Sequence, residues 1–182
     1  MASAGPHDTR AIAAALAGLL SPGDVVSLSG ELGAGKTCFV QGAARALGFS
    51  GRVTSPTFTL VRRYDAERLP VVHVDVYRLD GLGDLGDLGD EVLDGEVVTM
   101  IEWGDALGPL LPVDRVDVEV VLADGIDDVL GRLVRVTGQG RWAERRQELG
   151  EALAGLRPPD RTPDGPPGDL PGSDVAPEVD GC

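Results

Sequence analysis

The run Gly30-Glu-Leu-Gly-Ala-Gly-Lys36-Thr37 fits the pattern G-x-x-x-x-G-K-[ST] at every fixed position. Glycines at that spacing let the backbone curl until successive N–H groups face one point. A helix starting at the lysine adds its N-terminal donors and the positive end of its dipole. Such a cradle suits nucleotide phosphates, with Lys36 reaching the β- and γ-phosphates and the Thr37 hydroxyl placed on Mg²⁺. Lys36 is the single lysine among 16 basic residues. A glycine-rich turn formed by chance would leave its position at the one fixed lysine site a coincidence.

A phosphate loop also needs acids for the metal and the attacking water. Two apolar runs end on one each: Val71-Val-His-Val-Asp75 and Val98-Thr-Met-Ile-Glu102. Either acid could reach the metal directly or through water, and period-two alternation puts His73, Asp75 and Tyr77 on one strand face. The hydroxyls of Thr54, Ser55, Thr57 and Thr59 could include one that senses the γ-phosphate, or could simply lead into a strand after Pro56. Adenine is the expected base, because a guanine-reading Asn-Lys-x-Asp motif cannot be written in a chain with no asparagine and no second lysine. Arg62, Arg63, Arg68 and Arg78 could touch RNA or an acidic partner, or could be solvated strand residues. His73 reads as a packed or hydrogen-bonded residue rather than a metal ligand. A small-molecule kinase and a nucleotide-gated interaction module with negligible turnover are the competing classes for such a loop.

The elements that must carry these groups follow from periodicity. Ile12, Leu16, Leu19 and Leu20 predict a helix from Asp8-Thr9 to before Pro22-Gly23, and Val25 to Ser29 a buried strand. The loop runs to Gly35, and a helix covers 36–47. Phe58 to Tyr64 and Leu69 to Tyr77 read as a hairpin, since too few residues separate them for a helical crossover. Val97 to Ile101 is a further strand, and residues 105–111 a short helix or turn. Val116, Val118 and Val120 alternate with Asp117 and Glu119 as in a half-solvated strand, which could pair with 133–136. A charged helix over 141–155 would bury Trp142, Leu149 and Leu153. Between them, residues 80–102 hold eight acids and no Lys or Arg, including the repeat Gly83 to Asp90. This reads as a solvated acidic loop with a marginal helix near 84–93, or as a lid or partner surface.

The domain organisation expected is a flexible arm over 1–8, a nucleotide-binding domain over 9–156, and a disordered tail over 157–182. That tail holds seven Pro, four Gly and six acids against two Arg. A net charge of −14 argues against wrapping nucleic acid through the protein's own charge. No window has 18 consecutive apolar residues, so no membrane span is expected, and the cytoplasm is the expected location. Cys38 and Cys182 support neither a disulfide framework nor a cysteine zinc site.

Four blocks in order, Leu28 to Thr37, Val53-Thr-Ser-Pro-Thr-Phe-Thr-Leu60, His73-Val-Asp-Val-Tyr-Arg-Leu79 and Ile101-Glu-Trp103, resemble the TsaE (YjeE) family of small P-loop ATPases. The resemblance covers roughly residues 9–140. It implies an α/β P-loop NTPase-like sandwich with a mixed parallel and antiparallel central sheet, and use of ATP with Mg²⁺. Gly33, Ala34, Gly35, Lys36, Thr37, Cys38 and Thr57 would contact the nucleotide. Lys36 would serve the phosphates, Thr37 and Glu102 the metal, and Asp75 hydrolysis. It further implies slow, partner-stimulated ATP turnover in threonylcarbamoyladenosine modification of tRNA, acting with TsaD and TsaB proteins, with tRNA met through that complex. Cys38 stands where family members usually carry a second threonine, and the helix bearing Arg141, Arg145 and Arg146 departs from the common pattern, as does the tail.

Overall fold

A computed structural model describes residues 1–77, 94–123 and 131–156. The acidic repeat, the marginal helix expected near 84–93, Arg78, Cys182 and the tail over 157–182 lie outside these residues. Among the described residues seven strands form one sheet: β1 (Ala2–Ser3), β2 (Val25–Ser29), β3 (Val61–Tyr64), β4 (Val71–Asp75), β5 (Val98–Glu102), β6 (Arg115–Ala123) and β7 (Gly131–Gln139). Their spatial order is β1-β7-β6-β2-β5-β4-β3. Pairs β2–β5, β2–β6 and β4–β5 are parallel; β3–β4, β6–β7 and β1–β7 are antiparallel. The mixed sheet matches the expected α/β architecture, and the β3–β4 hairpin forms as its short connection requires.

Residues of β4 and β5 are buried throughout, as parallel strands covered on both faces must be. On one face Val26, Leu28, Val71, Val98 and Met100 pack with α1 (Pro6–Ala17) and α2 (Lys36–Ala46) through Ile12, Leu16, Phe39 and Val40. The opposite face is smaller. There Val25, Val72, Val74 and Ile101 are closed over by Leu107 and Leu111, carried by and just after a 3-10 segment, Gly104–Leu110. The alternation read in β6 holds: Val116, Val118 and Val120 are buried while Asp117 and Glu119 are not. Tyr77 lies beyond the end of β4 and is half exposed, so it does not continue the strand face of His73 and Asp75.

The N-terminal residues differ from the loose arm expected. Ala2 and Ser3 pair with Leu133 and Arg132, the terminal ammonium donates to the Val134 carbonyl (2.6 Å), and buried Ser3 shares a hydrogen bond with Thr9 (2.8 Å). Without them the outer edge of β7 would present unpaired backbone groups. The first helix accordingly begins at Pro6, whose missing N–H costs nothing in a first turn.

The charged C-terminal helix is two pieces, α3 (Arg141–Glu144) and α4 (Arg146–Ala154), joined at Arg145. Trp142 and Leu149 are buried as expected, and α4 lies against α1. Asp24, 1% exposed, holds this region down: it accepts from the Arg141 guanidinium (2.5 Å), Trp142 Nε1 (3.1 Å) and the Ser21 N–H (2.7 Å). Asp24→Ala leaves the buried indole donor without its acceptor, at about 2 kcal/mol, with little added for the half-exposed guanidinium and for the Ser21 N–H, which water can reach. Thermal unfolding is expected to show Tm lower by roughly 4–8 °C with nucleotide affinity unchanged. An unchanged Tm would mean that α3 is not anchored through Asp24.

Candidate nucleotide-binding site

The segment between β2 and α2 passes close beneath β6. A Cβ on Gly30, at φ +133°, would lie within 2.1 Å of the Val120 carbonyl oxygen, so only glycine fits there. Gly35 caps α2 in a left-handed conformation, φ 112°, with no side-chain hydrogen bond, leaving the helix start to be completed by something other than a capping side chain. Ala34 is buried, its N–H donating to the Glu31 carbonyl (3.1 Å) and its carbonyl accepting from Arg132 Nε (2.7 Å). Arg132 belongs to no motif in the sequence. It reaches the loop because β7 lies two strands from β2.

Lys36 is 4% exposed, and its Nζ donates to the carbonyls of Gly30 (2.8 Å) and Glu31 (2.9 Å) while sitting 3.7 Å over the Trp103 ring. Burial lowers its pKa, opposed by the nearby carboxylates Glu102, Asp75 and Asp105. The ammonium is thus folded back onto the loop whose spacing predicts a phosphate cradle. Trp103 itself holds a positive φ of 61°, a rare conformation for a bulky residue, and packs its ring on Tyr77 at 4.9 Å between centroids.

Parallel register sets Asp75 beside Glu102 and Glu102 beside Leu28, so the two acids emerge at the same end of the sheet as the loop. Glu102 Oε1 accepts from the Thr37 hydroxyl (2.7 Å) and lies 2.8 Å from His73 Nε2. Asp75 Oδ2 accepts from Ser55 (2.9 Å) and Thr57 (2.7 Å), whose hydroxyls are 2.6 Å apart. Thr37, Glu102, Asp75 and Thr57 therefore meet around the start of α2. Cys38 behaves differently, since its thiol donates to the Pro6 carbonyl at 3.5 Å. This side chain thus engages the start of α1.

The arginines read as one group part company. Arg62 binds the Thr54 hydroxyl, Arg63 pairs with Asp65, and Arg68 donates to the carbonyls of Ala17 and Leu20. A cavity of about 440 Å³ opens beside Thr37, between α2 and residues 49–55, lined by Arg10, Arg45 and Arg52. Among the described residues no three His, Cys, Asp or Glu side chains gather into an all-protein metal cage. The Thr37 hydroxyl and Glu102 carboxylate, 2.7 Å apart, are hard oxygen groups of the type that Mg²⁺ accepts. Among the described residues no helix is long and apolar enough to cross a membrane.

The model of the family "Threonylcarbamoyl adenosine biosynthesis protein TsaE" matches residues 3–127. The tRNA threonylcarbamoyladenosine biosynthesis protein TsaE of Bacillus subtilis (strain 168) is 42% identical over 116 residues, 63% of this chain and 72% of that protein. The protein of the same name from Streptomyces coelicolor is 44% identical over 140 residues, 74% of this chain and 93% of that one. The crystal structure of YdiB from Bacillus subtilis superposes with a TM-score of 0.68 at 36% identity, covering 83% of this chain and 93% of that one. The family match covers more than half of the chain, and with relatives 42% and 44% identical and a like fold beside it the chain belongs to the TsaE family.

Proposed function

We propose that this protein binds and hydrolyses Mg·ATP in the biosynthesis of threonylcarbamoyladenosine on tRNA, acting with TsaD and TsaB proteins. The observation that carries the ATPase reading is the convergence of Lys36, Thr37, Glu102 and Asp75 from three separate elements on one loop. Nucleotide phosphates would take Lys36 Nζ from the two carbonyls it now serves, and the N–H groups of Gly33 to Cys38 would bind their oxygens. Thr37 and Glu102 would hold Mg²⁺, which when bound neutralises charge on the β- and γ-phosphate oxygens. Asp75, next to Glu102 and bonded to Thr57, is in reach to orient the attacking water and take its proton.

The segment entering β3 supports a partner-dependent cycle. Phe58 is 86% exposed and Leu60 adopts φ 63°, while Ser55 and Thr57 tie the same segment to Asp75. A γ-phosphate competing for those hydroxyls would reshape the surface that carries Phe58, and a partner seated on it would in turn set the hydrolytic geometry. Turnover alone is then slow and rises with TsaD and TsaB. Thr57→Ala is expected to lower partner-stimulated turnover at least tenfold, on the order of 1.4 kcal/mol, while basal ATP affinity changes little. Reconstituted tRNA modification with parallel ATP hydrolysis measures this. Partners that neither bind the chain nor alter its turnover, with modification equal in its absence, would remove the biological assignment and leave the ATP site standing.

A further inference from the structure

His73 is wholly buried in the middle of β4, an expensive place for an imidazole unless its ring nitrogens are used. Strand alternation turns it to the α2 face with Asp75. Its Nε2 lies 2.8 Å from Glu102 Oε1, the same oxygen that accepts the Thr37 hydroxyl. An ionised carboxylate only accepts, so Nε2 has to carry the hydrogen. On its other side the ring abuts Tyr64, with centroids 6.1 Å apart and the phenol oxygen 3.5 Å from Nδ1. Tyr64 is itself fixed: its hydroxyl donates to the Thr54 carbonyl (2.9 Å), and its ring packs on Phe49 at 4.9 Å.

We propose that His73 is a positioning residue: it holds Glu102 in the orientation that serves the metal, and through Tyr64 it ties that orientation to the backbone at Thr54, where the segment bearing Ser55 and Thr57 begins. The assignment rests on Glu102 serving the metal as proposed above. Thr37 from α2 and His73 from β4 both meet Glu102 Oε1, and Tyr64 from β3 packs against the far side of the imidazole. Tyr64 thus stands between the backbone at Thr54 and the imidazole beside Glu102, so one run of contacts joins the partner-facing segment to the metal side of the site. Holding a ligand by a buried hydrogen bond from behind is worth roughly ten- to a hundredfold in metal affinity or activity where it has been measured.

His73→Leu fills similar volume without a donor, and His73→Gln keeps an amide N–H able to reach Glu102. Binding of a fluorescent ATP analogue is titrated with MgCl₂ and, separately, in excess chelator. The expected result is a Mg²⁺ half-point about tenfold higher in His73→Leu, metal-free affinity within about twofold of wild type, and at least half of the loss recovered in His73→Gln. At saturating Mg²⁺, kcat falls in His73→Leu with KM for ATP unchanged. Nitrogen NMR of the wild-type imidazole, without nucleotide or metal, is expected to show a protonated Nε2 whose shift moves in Glu102→Gln. A wild-type Mg²⁺ half-point in His73→Leu, no recovery in His73→Gln, equal loss with and without metal, or an unprotonated Nε2 would each overturn the proposal. Should His73→Leu fail to fold, His73→Gln and the wild-type spectrum decide it. If Glu102→Gln itself leaves the Mg²⁺ half-point unchanged, the metal role of Glu102 is what fails, and the proposal for His73 falls with it.

Discussion

Lys36→Ala is expected to weaken ATP binding on the order of a hundredfold and to abolish measurable turnover. The ammonium is buried and is the one lysine in the chain, so no neighbouring side chain can substitute for a compact, threefold donor at the phosphates. A charge-assisted hydrogen bond is worth roughly 1.5–3 kcal/mol, and Lys36 would make more than one to the β- and γ-phosphates. In the nucleotide-free protein the substitution removes donors from the Gly30 and Glu31 carbonyls and a cation from the face of Trp103. A smaller stability cost therefore accompanies the affinity loss, and circular dichroism must show a folded variant before the calorimetric titration is interpreted. Tryptophan emission offers a second readout, because withdrawal of the ammonium from 3.7 Å above the indole changes its surroundings. A folded Lys36→Ala protein that binds ATP as tightly as wild type would show that the loop is not a phosphate cradle.

Glu102→Gln is expected to lower kcat roughly a hundred- to a thousandfold, the scale seen when one preorganised electrostatic group is removed from an active site. The variant is informative because little else changes. The amide oxygen can still accept from Thr37 and His73, so the local geometry survives while the formal charge is lost. The Mg²⁺ requirement should therefore rise, whereas nucleotide affinity in chelator should not. Asp75→Asn makes the comparison sharper. Its oxygen can continue to accept from Ser55 and Thr57, so ATP binding should persist while hydrolysis falls. Wild-type turnover by both variants at saturating Mg·ATP would eliminate the two acids as the hydrolytic site.

The proposed division of labour between the acids depends on a few ångströms. Both end parallel neighbours at the same level of the sheet, yet Glu102 is tied to α2 and Asp75 to the segment entering β3. One carboxylate is thereby joined to the phosphate loop and the other to the exposed turn with Phe58. In the proposed cycle Glu102 would answer to the phosphate side and Asp75 to the turn, held in register by the β4–β5 pair.

Much of this was legible in residue order, because the relevant physics is local. A backbone that must adopt φ above zero at Gly30 and Gly35 and then start a helix at Lys36 depends on a few consecutive residues, and the glycines and the lysine specify it. The same holds for the alternation in β6 and for the β3–β4 hairpin, whose short link excludes a crossover. Residue types also marked Asp75 and Glu102, since each ends an apolar run that reads as a buried strand.

Spatial neighbourhood was decided only by the tertiary structure. Nothing in residue order says that β5 lies between β2 and β4, and it is that order which puts Glu102 within reach of both Thr37 and His73. Arg132 at the Ala34 carbonyl, Asp24 beneath Trp142, and the N-terminal residues on the edge of β7 are likewise contacts across many tens of residues. The thiol of Cys38 turned toward Pro6 follows from how α1 packs on α2. Local conformation is set by short-range sterics that a motif encodes directly. Partner choice over long separations is set by which packing of the whole sheet buries its apolar faces and pairs its edges, and that choice is a property of all the strands together.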